Sequence, residues 1–403
     1  FYQNNVNIRI FFVEGFYLRY IILGLIMAGL FQVFFWLSRD NLVTLNENSF
    51  EKIESLSYSP FEGYDKNLLS SEQIAYDVNL FENFTNKLRT YGTLEAYKIL
   101  QSSKDSNLPI DLGLWIGGDL EANNLEIQRA LEILKEYPNR IQSVIVGNEV
   151  LLRKELEPLE LYAYIDFMKS HTKKPVTTAE TWDIWEKNPQ LASHVDFLTI
   201  HILPYWEKVP IERYNEFIIE KYSVVEELFP NRKIVIGETG WPSHGYNNNK
   251  AVPSIKNQAQ AIRGFVNLAH EKGWHYNIIE ALDQPWKGYD EGNVGQYWGI
   301  FTTDRALKFQ LAGEVELNKY WLYQMIAAII IGALLTLFGL KNQRVNISHA
   351  FAYAIAAQGM AFGIVMAAIY PFVNYMNFGM WIMWGMGSFL MIPLVIITLA
   401  KAN

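Results

Sequence analysis

Two glutamates in this sequence have the side-chain type and the position for acid–base or nucleophilic chemistry. Glu149 ends the segment Val146-Gly147-Asn148-Glu149, and Glu238 lies in the segment Ile-Gly-Glu-Thr-Gly-Trp-Pro at residues 236–242. Each follows a short run of β-branched residues and is therefore predicted to lie where a buried strand ends and a loop begins. One such glutamate could equally be a solvated loop residue or half of an ion pair. Two of them, in one repeating strand–helix pattern, favour catalysis at the mouth of a barrel.

The elements that would position this pair alternate along the middle of the chain. Eight runs have the composition of strands: residues 53–58, 87–91, 110–116, 141–146, 175–179, 195–202, 233–237 and 276–282. Helical patterns lie between them, for example at residues 70–84, 122–137, 158–171 and 254–272. Ser70 and Gln73 predict a capping box at the start of the first of these helices. We therefore predict an α/β fold, a (β/α)8 TIM barrel. An open doubly wound sheet would also alternate in this way, but no glycine-rich phosphate fingerprint follows the first strand.

Polar and aromatic residues are concentrated where the predicted strands end, which is the edge at which TIM-barrel active sites form. Besides the two glutamates they are Tyr58, Arg89, Tyr91, Trp115, Asn148, Trp182, His201, Tyr205, Trp241, Glu280, Asp283 and Trp286. Aromatic rings cover the C–H faces of pyranoses while charged and amide groups bind hydroxyls, so this mixture indicates a sugar substrate. A single tryptophan could instead pack in the core. The chain has twelve, and so many after strand ends favour a binding surface.

Uncharged apolar runs lie on both sides of the predicted barrel. Residues 20–38, 320–340 and 345–400 contain no acidic or basic side chain except His349, and each run reaches the roughly 20 residues that a membrane helix needs. We predict four transmembrane helices, one before the barrel and three after it, at about 18–38, 320–340, 348–370 and 378–400. The first run could instead be a signal peptide, but residues 34–37, Phe-Phe-Trp-Leu, are a poor cleavage site, which favours an uncleaved anchor.

Basic residues in the short flanks of these spans predict one orientation. They are Arg9 and Arg19 before the first span, Lys341 and Arg344 between the second and third, and Lys401 after the fourth. Placing all of them in the cytoplasm satisfies the positive-inside tendency and exports residues 39–319. The predicted domains are therefore an N-terminal segment with the first span (1–39), the barrel (40–317) and three C-terminal spans (318–403). Because the sequence does not start with Met, we also expect residues to precede it.

The composition argues against several classes of function. A formal net charge of −8 without a basic stripe argues against nucleic-acid binding. The chain has no cysteine and hence no disulfide, which neither contradicts export nor proves it. Its seven histidines show no metal-ligand spacing, and we expect neither a metal nor another cofactor. His201 is interpreted as a hydrogen-bonding residue at a strand end.

The region from about residue 53 to 309 resembles glycoside hydrolase family 17, the β-1,3-glucanase family of retaining (β/α)8 enzymes. Six segments have the family's order: residues 57–61 (Ser-Tyr-Ser-Pro-Phe), 88–92 (Leu-Arg-Thr-Tyr-Gly), 146–149 (Val-Gly-Asn-Glu), 201–206 (His-Ile-Leu-Pro-Tyr-Trp), 237–242 (Gly-Glu-Thr-Gly-Trp-Pro) and 297–301 (Tyr-Trp-Gly-Ile-Phe). Any one segment is weak, but six in order are a strong signal. Residues 281–287, Ala-Leu-Asp-Gln-Pro-Trp-Lys, are closer to the bacterial branch, whose domains often accompany membrane-bound β-glucan synthases.

The resemblance implies a role for each matching residue. Glu149 would protonate the glycosidic oxygen and later deprotonate the acceptor, and Glu238 would attack the anomeric carbon to form a covalent glycosyl-enzyme. Asn148 would bind the neighbouring 2-hydroxyl, and Tyr205 would support the nucleophile. The other candidate substrate-binding residues are Tyr58, Arg89, Tyr91, Trp115, His201, Trp241, Glu280, Asp283, Trp286 and Lys287. The charged members of this group would serve equally well in a structural ion-pair network.

The resulting hypothesis is a membrane-anchored, outward-facing retaining hydrolase of β-1,3-glucan. A glucanosyltransferase, which passes the glycosyl-enzyme to another glucan, would use the same two glutamates. A non-catalytic glucan-binding subunit of a larger membrane complex is the third alternative. The expected partners are a β-glucan polysaccharide or oligosaccharide, the lipid bilayer, and a glycosyltransferase or other membrane subunits. The expected location is a bacterial inner membrane, crossed several times, with the barrel on the periplasmic side.

Overall fold

The structure, a computed structural model, describes Arg19 and residues 22–37, 42–45, 52–340 and 347–374, with side chains up to residue 369. The chain divides into two compact units. The barrel unit comprises Thr44–Val315, and the helical unit comprises Phe1–Val43 together with Glu316–Asn403.

The barrel unit is built on eight parallel strands that close on themselves. In chain order they are β1 (Leu56–Ser57), β2 (Leu88–Arg89), β3 (Ile110–Leu114), β4 (Ile141–Asn148), β5 (Val176–Thr181), β6 (Leu198–His201), β7 (Ile234–Thr239) and β8 (His275–Ile278). Each strand pairs with its neighbours in sequence, and β8 closes the barrel by pairing Ile278 with Leu56 of β1. This is the predicted (β/α)8 barrel. Its core contains the β-branched and leucine side chains that the eight runs supply.

Seven α-helices connect successive strands. They are α1 (Ser71–Phe81), α2 (Thr93–Ser102), α3 (Leu120–Glu136), α4 (Pro158–His171), α5 (Trp182–Lys187), α6 (Tyr214–Leu228) and α7 (Ile255–Lys272). Short 3-10 turns lie at Pro189–Ser193, Ile211–Arg213, Pro285–Gly288 and Asn293–Tyr297, and the last two follow β8 in place of an eighth α-helix. Phe61–Glu62 and Asn67–Leu68 form a β-hairpin, and Leu42–Thr44 pairs with Glu314–Glu316.

Two of the helices begin at side chains that cap their N-termini. Asp119 accepts the backbone N–H groups of Glu121 and Ala122 at the start of α3. Ser70 likewise accepts the N–H of Gln73 at 3.2 Å. The predicted capping box is only half formed, because the Gln73 side chain donates to Asp77 at 2.9 Å.

Three strands, β4, β5 and β7, extend further than predicted, and the extensions of β4 and β7 position the two glutamates. β4 continues to Asn148 and β7 to Thr239, so that Glu238 lies within its strand. Each extension passes through an irregular register, between Ile145 and Asn148 in one and between Ile236 and Glu238 in the other. Such an irregularity re-aims the side chain that follows it.

The helical unit contains two helices long and apolar enough to cross a membrane, by length and composition. They are Trp321–Leu340 and Ile347–Ile369, with mean hydropathies of 2.1 and 1.7. The apolar helix Ile22–Leu37 is shorter. The described residues therefore do not reach the predicted number of four spans, and the predicted span at 378–400 lies outside them. The buried Gln32 side chain donates to the backbone oxygen of Gln358 at 2.6 Å and so forms a hydrogen bond between two helices.

Candidate active site

A cleft of about 270 Å³ lies at the carboxyl ends of the barrel strands. Its wall combines carboxylates, aromatic rings and aliphatic side chains, a composition that suits a sugar. The lining residues are Glu149, Leu152, Thr181, Trp182, His201, Leu203, Trp206, Glu207, Glu238, Ile279, Glu291 and Trp298.

Glu149 and Glu238 face each other within this cleft. One oxygen of each carboxylate and one ring nitrogen of His201 all lie within 4.8 Å of one another. A retaining glycosidase holds its two carboxyls about 5–5.5 Å apart, whereas an inverting one needs about 6.5–9.5 Å to admit a water. The spacing of Glu149 and Glu238 matches the retaining arrangement.

The chain around Glu149 is held by several groups on neighbouring elements. Gly147 and Glu149 both have positive φ, +83° and +54°, which turns the chain sharply after β4. The Glu149 N–H donates to Ala179 O at 2.7 Å, which fixes the turn to β5. Buried Glu180, also on β5, accepts the N–H of Leu151 at 2.8 Å. Glu180 thus holds the backbone that follows Glu149.

His201, at the end of β6, joins the two glutamates. Its Nδ1 lies 2.7 Å from Glu149 Oε1, and its Nε2 lies 3.7 Å from Glu238 Oε1. The Nη1 and Nη2 atoms of Arg89 both lie 3.3 Å from Nε2. A guanidinium only donates, so Nε2 accepts and the ring hydrogen lies on Nδ1, from which it is donated to Glu149.

Arg89 is the buried cation beneath this group. It is 1% exposed, and its Nη1 lies 3.6 Å from Glu238 Oε1. The same Nη1 donates to Gly237 O at 2.5 Å, and Nη2 donates to Asn148 Oδ1 at 2.7 Å. One planar fork therefore ties together β2, β4 and β7 and sets the position of both Glu238 and Asn148.

Glu149 has a lowered pKa in the open cleft. Burial by itself would raise the pKa, but the hydrogen bond from His201 and the positive charges of Arg153 and Arg89 outweigh burial. The Arg153 guanidinium also donates to the backbone oxygen of Asn148 and stacks 4.5 Å from the centre of the Trp115 ring. Without a sugar, Glu149 is held as a carboxylate.

Three further carboxylates near the cleft have raised pKa values because they are buried. Burial raises the pKa of Glu180 to about 7. It also raises the pKa of Glu280 to about 7 against the opposing charge of Lys287, whose Nζ lies 2.9 Å away. Burial raises the pKa of Glu291, and the negative charges of Glu238 and Glu149 add to that rise.

Glu149, His201 and Glu238 are also spaced closely enough to ligate a divalent cation. A positively charged group, the Arg89 guanidinium, already lies beside two of these three side chains, however. The Arg89 guanidinium lies 3.3 Å from His201 Nε2 and 3.6 Å from Glu238, so it competes with a metal for both. This donor set is therefore better suited to ordering a carboxylate pair than to holding a metal.

Several predicted site residues lie around the carboxylate pair. Asn148, Arg89 and His201 contact it or each other, and the Tyr91 ring lies 5.0 Å from the Arg89 guanidinium carbon. The Tyr91 hydroxyl bonds Ser57 at 3.0 Å. Trp182 lines the cleft, and Trp115 is 47% exposed beside Arg153. Their roles toward substrate stay predictions.

Four predicted residues are not among those that line the cleft. Tyr58 is buried and donates to Asp77 at 2.8 Å. Asp283 is bound by Lys308 at 2.7 Å inside the fold. Trp241 is fully buried, with its Nε1 donating to Val252 O at 3.0 Å. Tyr205 is fully buried too, and its hydroxyl donates to Tyr246 O at 2.7 Å rather than to Glu238. The polar atoms of these four side chains therefore have partners inside the protein.

Glu280 and Lys287 form a buried ion pair, which is the structural alternative that the sequence left open. Trp286 is half-buried, and its Nε1 donates to Gln284 at 2.7 Å. Sequence reasoning missed Trp206, which is 37% exposed in the cleft and stacks on Trp298 at 6.0 Å. It also missed Glu291, which lies in an irregular segment without any periodic signal.

Comparison with known proteins agrees with this geometry. The family model described as the BtgE/BtgC glycoside hydrolase domain matches residues 55–299. A glucan 1,3-beta-glucosidase of Schizosaccharomyces pombe is 27% identical over 255 residues, which are 58% of this chain and 79% of that protein. A putative glucan endo-1,3-beta-glucosidase of Aspergillus niger is 29% identical over 276 residues, 59% of this chain but only 40% of that protein.

Solved structures show the same similarity. The crystal structure of a glycoside hydrolase family 17 beta-1,3-glucanosyltransferase from Rhizomucor miehei superimposes with a TM-score of 0.58 and is 25% identical, covering 64% of this chain and 95% of that one. An active-site mutant of that enzyme, in complex with laminaritriose, is equally similar. In both structures the matched region is 95% of the Rhizomucor miehei chain.

Proposed function

The chain belongs to the family of BtgE/BtgC glycoside hydrolase domains, and from this premise we propose that its barrel cleaves β-1,3-linked glucan with retention at the anomeric carbon. The observation that supports this most directly is the spacing of Glu149 and Glu238, whose nearest carboxylate oxygens lie within 4.8 Å. The substrate class follows from relatives whose names specify 1,3-beta-glucan linkages and from the complex of one of them with laminaritriose.

In the first step Glu238 is the nucleophile. Its carboxylate oxygen forms a bond to the anomeric carbon as the glycosidic C–O bond breaks, and the departing oxygen takes the proton of Glu149. In the second step Glu149 removes a proton from water, whose oxygen displaces Glu238 from the sugar. Because Arg89 already donates to Asn148 Oδ1 at 2.7 Å, the Asn148 amide N–H groups are the ones left for the sugar 2-hydroxyl.

Glu149 must carry a proton when the glycosidic bond breaks, although its pKa is lowered in the open cleft. Binding of glucan supplies the change. The sugar excludes water from Glu149, and the negative charge of Glu238 remains within 4.8 Å, and both effects favour the protonated form. When Glu238 becomes an ester it loses that charge, which favours the carboxylate form of Glu149 that the second step needs.

A second candidate function is glucanosyl transfer, in which the acceptor is a hydroxyl of another glucan. The similarity to the Rhizomucor miehei glucanosyltransferase, at 25% identity over 95% of that chain, favours this alternative. The same atoms serve both reactions, and the choice depends on whether a sugar or water occupies the acceptor side. A purely binding role explains less, since it has no need of two carboxylates held this close.

Product analysis separates these functions. Purified full-length chain is incubated with laminarihexaose, chain lengths are followed by chromatography, and the first anomer formed is followed by NMR. Shorter products that appear first as the β-anomer support retaining hydrolysis. Products longer than the hexaose support transfer. Initial release of the α-anomer contradicts the retaining assignment, and complete absence of turnover contradicts the enzymatic one.

We also propose that the apolar helices outside the barrel anchor it to a membrane, with the domains at 1–39, 40–317 and 318–403 and the barrel on the outer side. Support comes from Trp321–Leu340 and Ile347–Ile369, which are long enough to span. Protease added to vesicles of known orientation tests this topology. Cleavage between residues 39 and 319 from the cytoplasmic side would contradict it.

A further inference from the structure

A group of aromatic residues, which includes the predicted substrate-binding residue Trp286, lies on the loops after β1 and β8. We call Phe61, Tyr64, Trp286 and Tyr289 the aromatic platform. The turn of the hairpin after β1 carries Tyr64, and the loop after β8 carries Tyr289; they are 58% and 74% exposed. Their ring centres lie 6.1 Å apart, and the angle between the ring planes is 72°. Two adjacent strands thus present large, accessible rings at the same end of the barrel as the cleft.

The platform is built from the two loops together rather than from chance neighbours. The rings of Phe61 and Trp286 meet edge to face at 6.3 Å, and Lys66 Nζ lies 4.2 Å from the centre of the Trp286 ring. Beneath them, buried Gln284 accepts from Trp286 Nε1 at 2.7 Å and donates to Ser59 O at 2.9 Å. One amide therefore joins the base of the hairpin to the β8 loop.

One short segment of the chain connects the platform to the catalytic cleft. The 3-10 turn Pro285–Gly288 contains Trp286 of the platform and Lys287, which is bound to buried Glu280. Glu291, two residues after Tyr289, lines the cleft with Glu149 and Glu238. A backbone hydrogen bond from Glu291 N–H to Lys287 O, at 2.8 Å, forms a turn between these two residues. The platform therefore adjoins, along the chain, a residue that lines the cleft.

We propose that the platform is a remote subsite that binds glucosyl units of the same glucan chain, beyond the units at the bond being cut, with Tyr64 and Tyr289 as its main contacts. The inference rests on the proposed function and adds a site to it. Ring faces cover the C–H faces of pyranoses, and tyrosine hydroxyls can bond sugar hydroxyls. In the described part of the chain, no side-chain partner holds either hydroxyl. A long glucan therefore gains contacts here that a short one cannot reach.

The test compares binding of laminaritriose and laminarihexaose by calorimetry, using the full chain in detergent with Glu238→Gln to prevent turnover. Removing Tyr64 and Tyr289 together, each to Ala, should lower the hexaose-to-triose affinity ratio by on the order of tenfold. That is the effect of losing roughly 50 Å² of apolar contact at about 25 cal/mol per Å². Replacing both by Phe keeps the rings and should preserve most of the ratio. Tyr76→Ala is the matched control, because Tyr76 on α1 is also 58% exposed.

The outcomes separate this inference from the proposed function. An unchanged ratio in the Tyr64 and Tyr289 double variant, with both sugars still bound, overturns the platform and leaves the function standing. An equal loss in the Tyr76 control overturns it as well, since the effect would then not be specific. If the Glu238→Gln chain binds neither sugar, both the proposed function and the platform fail.

Discussion

Replacing Arg89 by Met should destabilise the barrel unit by about 3–5 kcal/mol. The substitution keeps an apolar side chain of similar length but removes the guanidinium, whose Nη1 lies 3.6 Å from buried Glu238. It also removes the donor to Asn148 Oδ1 and to His201 Nε2, whereas Gly237 O keeps the donor Asn277 Nδ2 at 3.0 Å. An orphaned buried acceptor costs about 1–3 kcal/mol, so the two estimates agree in size. Solvent cannot replace the lost contacts at a side chain that is 1% exposed.

Urea unfolding followed by tryptophan fluorescence measures this change. Arg213→Met is the control, because Arg213 and Glu216 form an ion pair at 2.9 Å with side chains 56% and 68% exposed, and removing such a pair should alter stability by about 0.5 kcal/mol or less. Arg89→Lys should fall between the two, since one ammonium group cannot donate to Gly237 and Asn148 along the directions of a planar fork.

Arg89→Met should also lower kcat/KM on laminarihexaose by about 100-fold, because Asn148 and Glu238 lose the group that positions them. A loss of less than about 1 kcal/mol together with near-parent activity would refute the reasoning. It would mean that β4 and β7 set the site without the guanidinium.

Three further outcomes follow from the site. Glu149→Gln should still form the glycosyl-enzyme from a glucosyl donor with a good leaving group, and Glu238→Gln should not; equal bursts of leaving group from both variants would contradict the assignment. His201→Phe removes the hydrogen bond that opposes burial, so the pKa of Glu149 rises; because the acid must be protonated, the basic limb of the kcat/KM profile should move to higher pH, and an unmoved limb would count against that role. Burial raises the pKa of Glu180 to about 7, above its ordinary 4.5, so its contribution to stability is full below pH 4.5 and is lost as the pH rises through 7. Urea unfolding should show this decline in the parent and a smaller one in Glu180→Gln, and parallel curves would contradict it.

The barrel could be predicted from the sequence because its signal is long and repeated. β-branched runs such as those before Gly147 and Gly237 are short, but eight of them alternating with helical periodicity leave few architectures. The strand ends were less predictable. β1 and β2 contain two residues each, whereas β4 and β7 run past their glycines through irregular registers, which no propensity encodes.

Side-chain direction limited the prediction of the site. Tyr205 and Trp206 are neighbours in sequence, and both follow β6, yet Tyr205 is fully buried and Trp206 is 37% exposed in the cleft. A shift of one residue exchanges the two faces of an extended segment, and a loop has no periodicity from which to choose between them. Glu291 was missed for a related reason, since its approach to Glu238 depends on the fold of an irregular segment.

The glycine that precedes each predicted catalytic glutamate serves a different physical purpose, although the two segments look alike in sequence. Gly147 has φ +83°, and a Cβ there would collide with Val150, so it permits the turn that presents Glu149. Gly237 lies in the strand, where a Cβ would collide with Thr199 and come within 3.1 Å of Arg89 Nη1. Its role is space, because the guanidinium must reach Gly237 O to remain beside Glu238. The pairing of the two glutamates therefore depends on one backbone conformation at β4 and one missing side chain at β7.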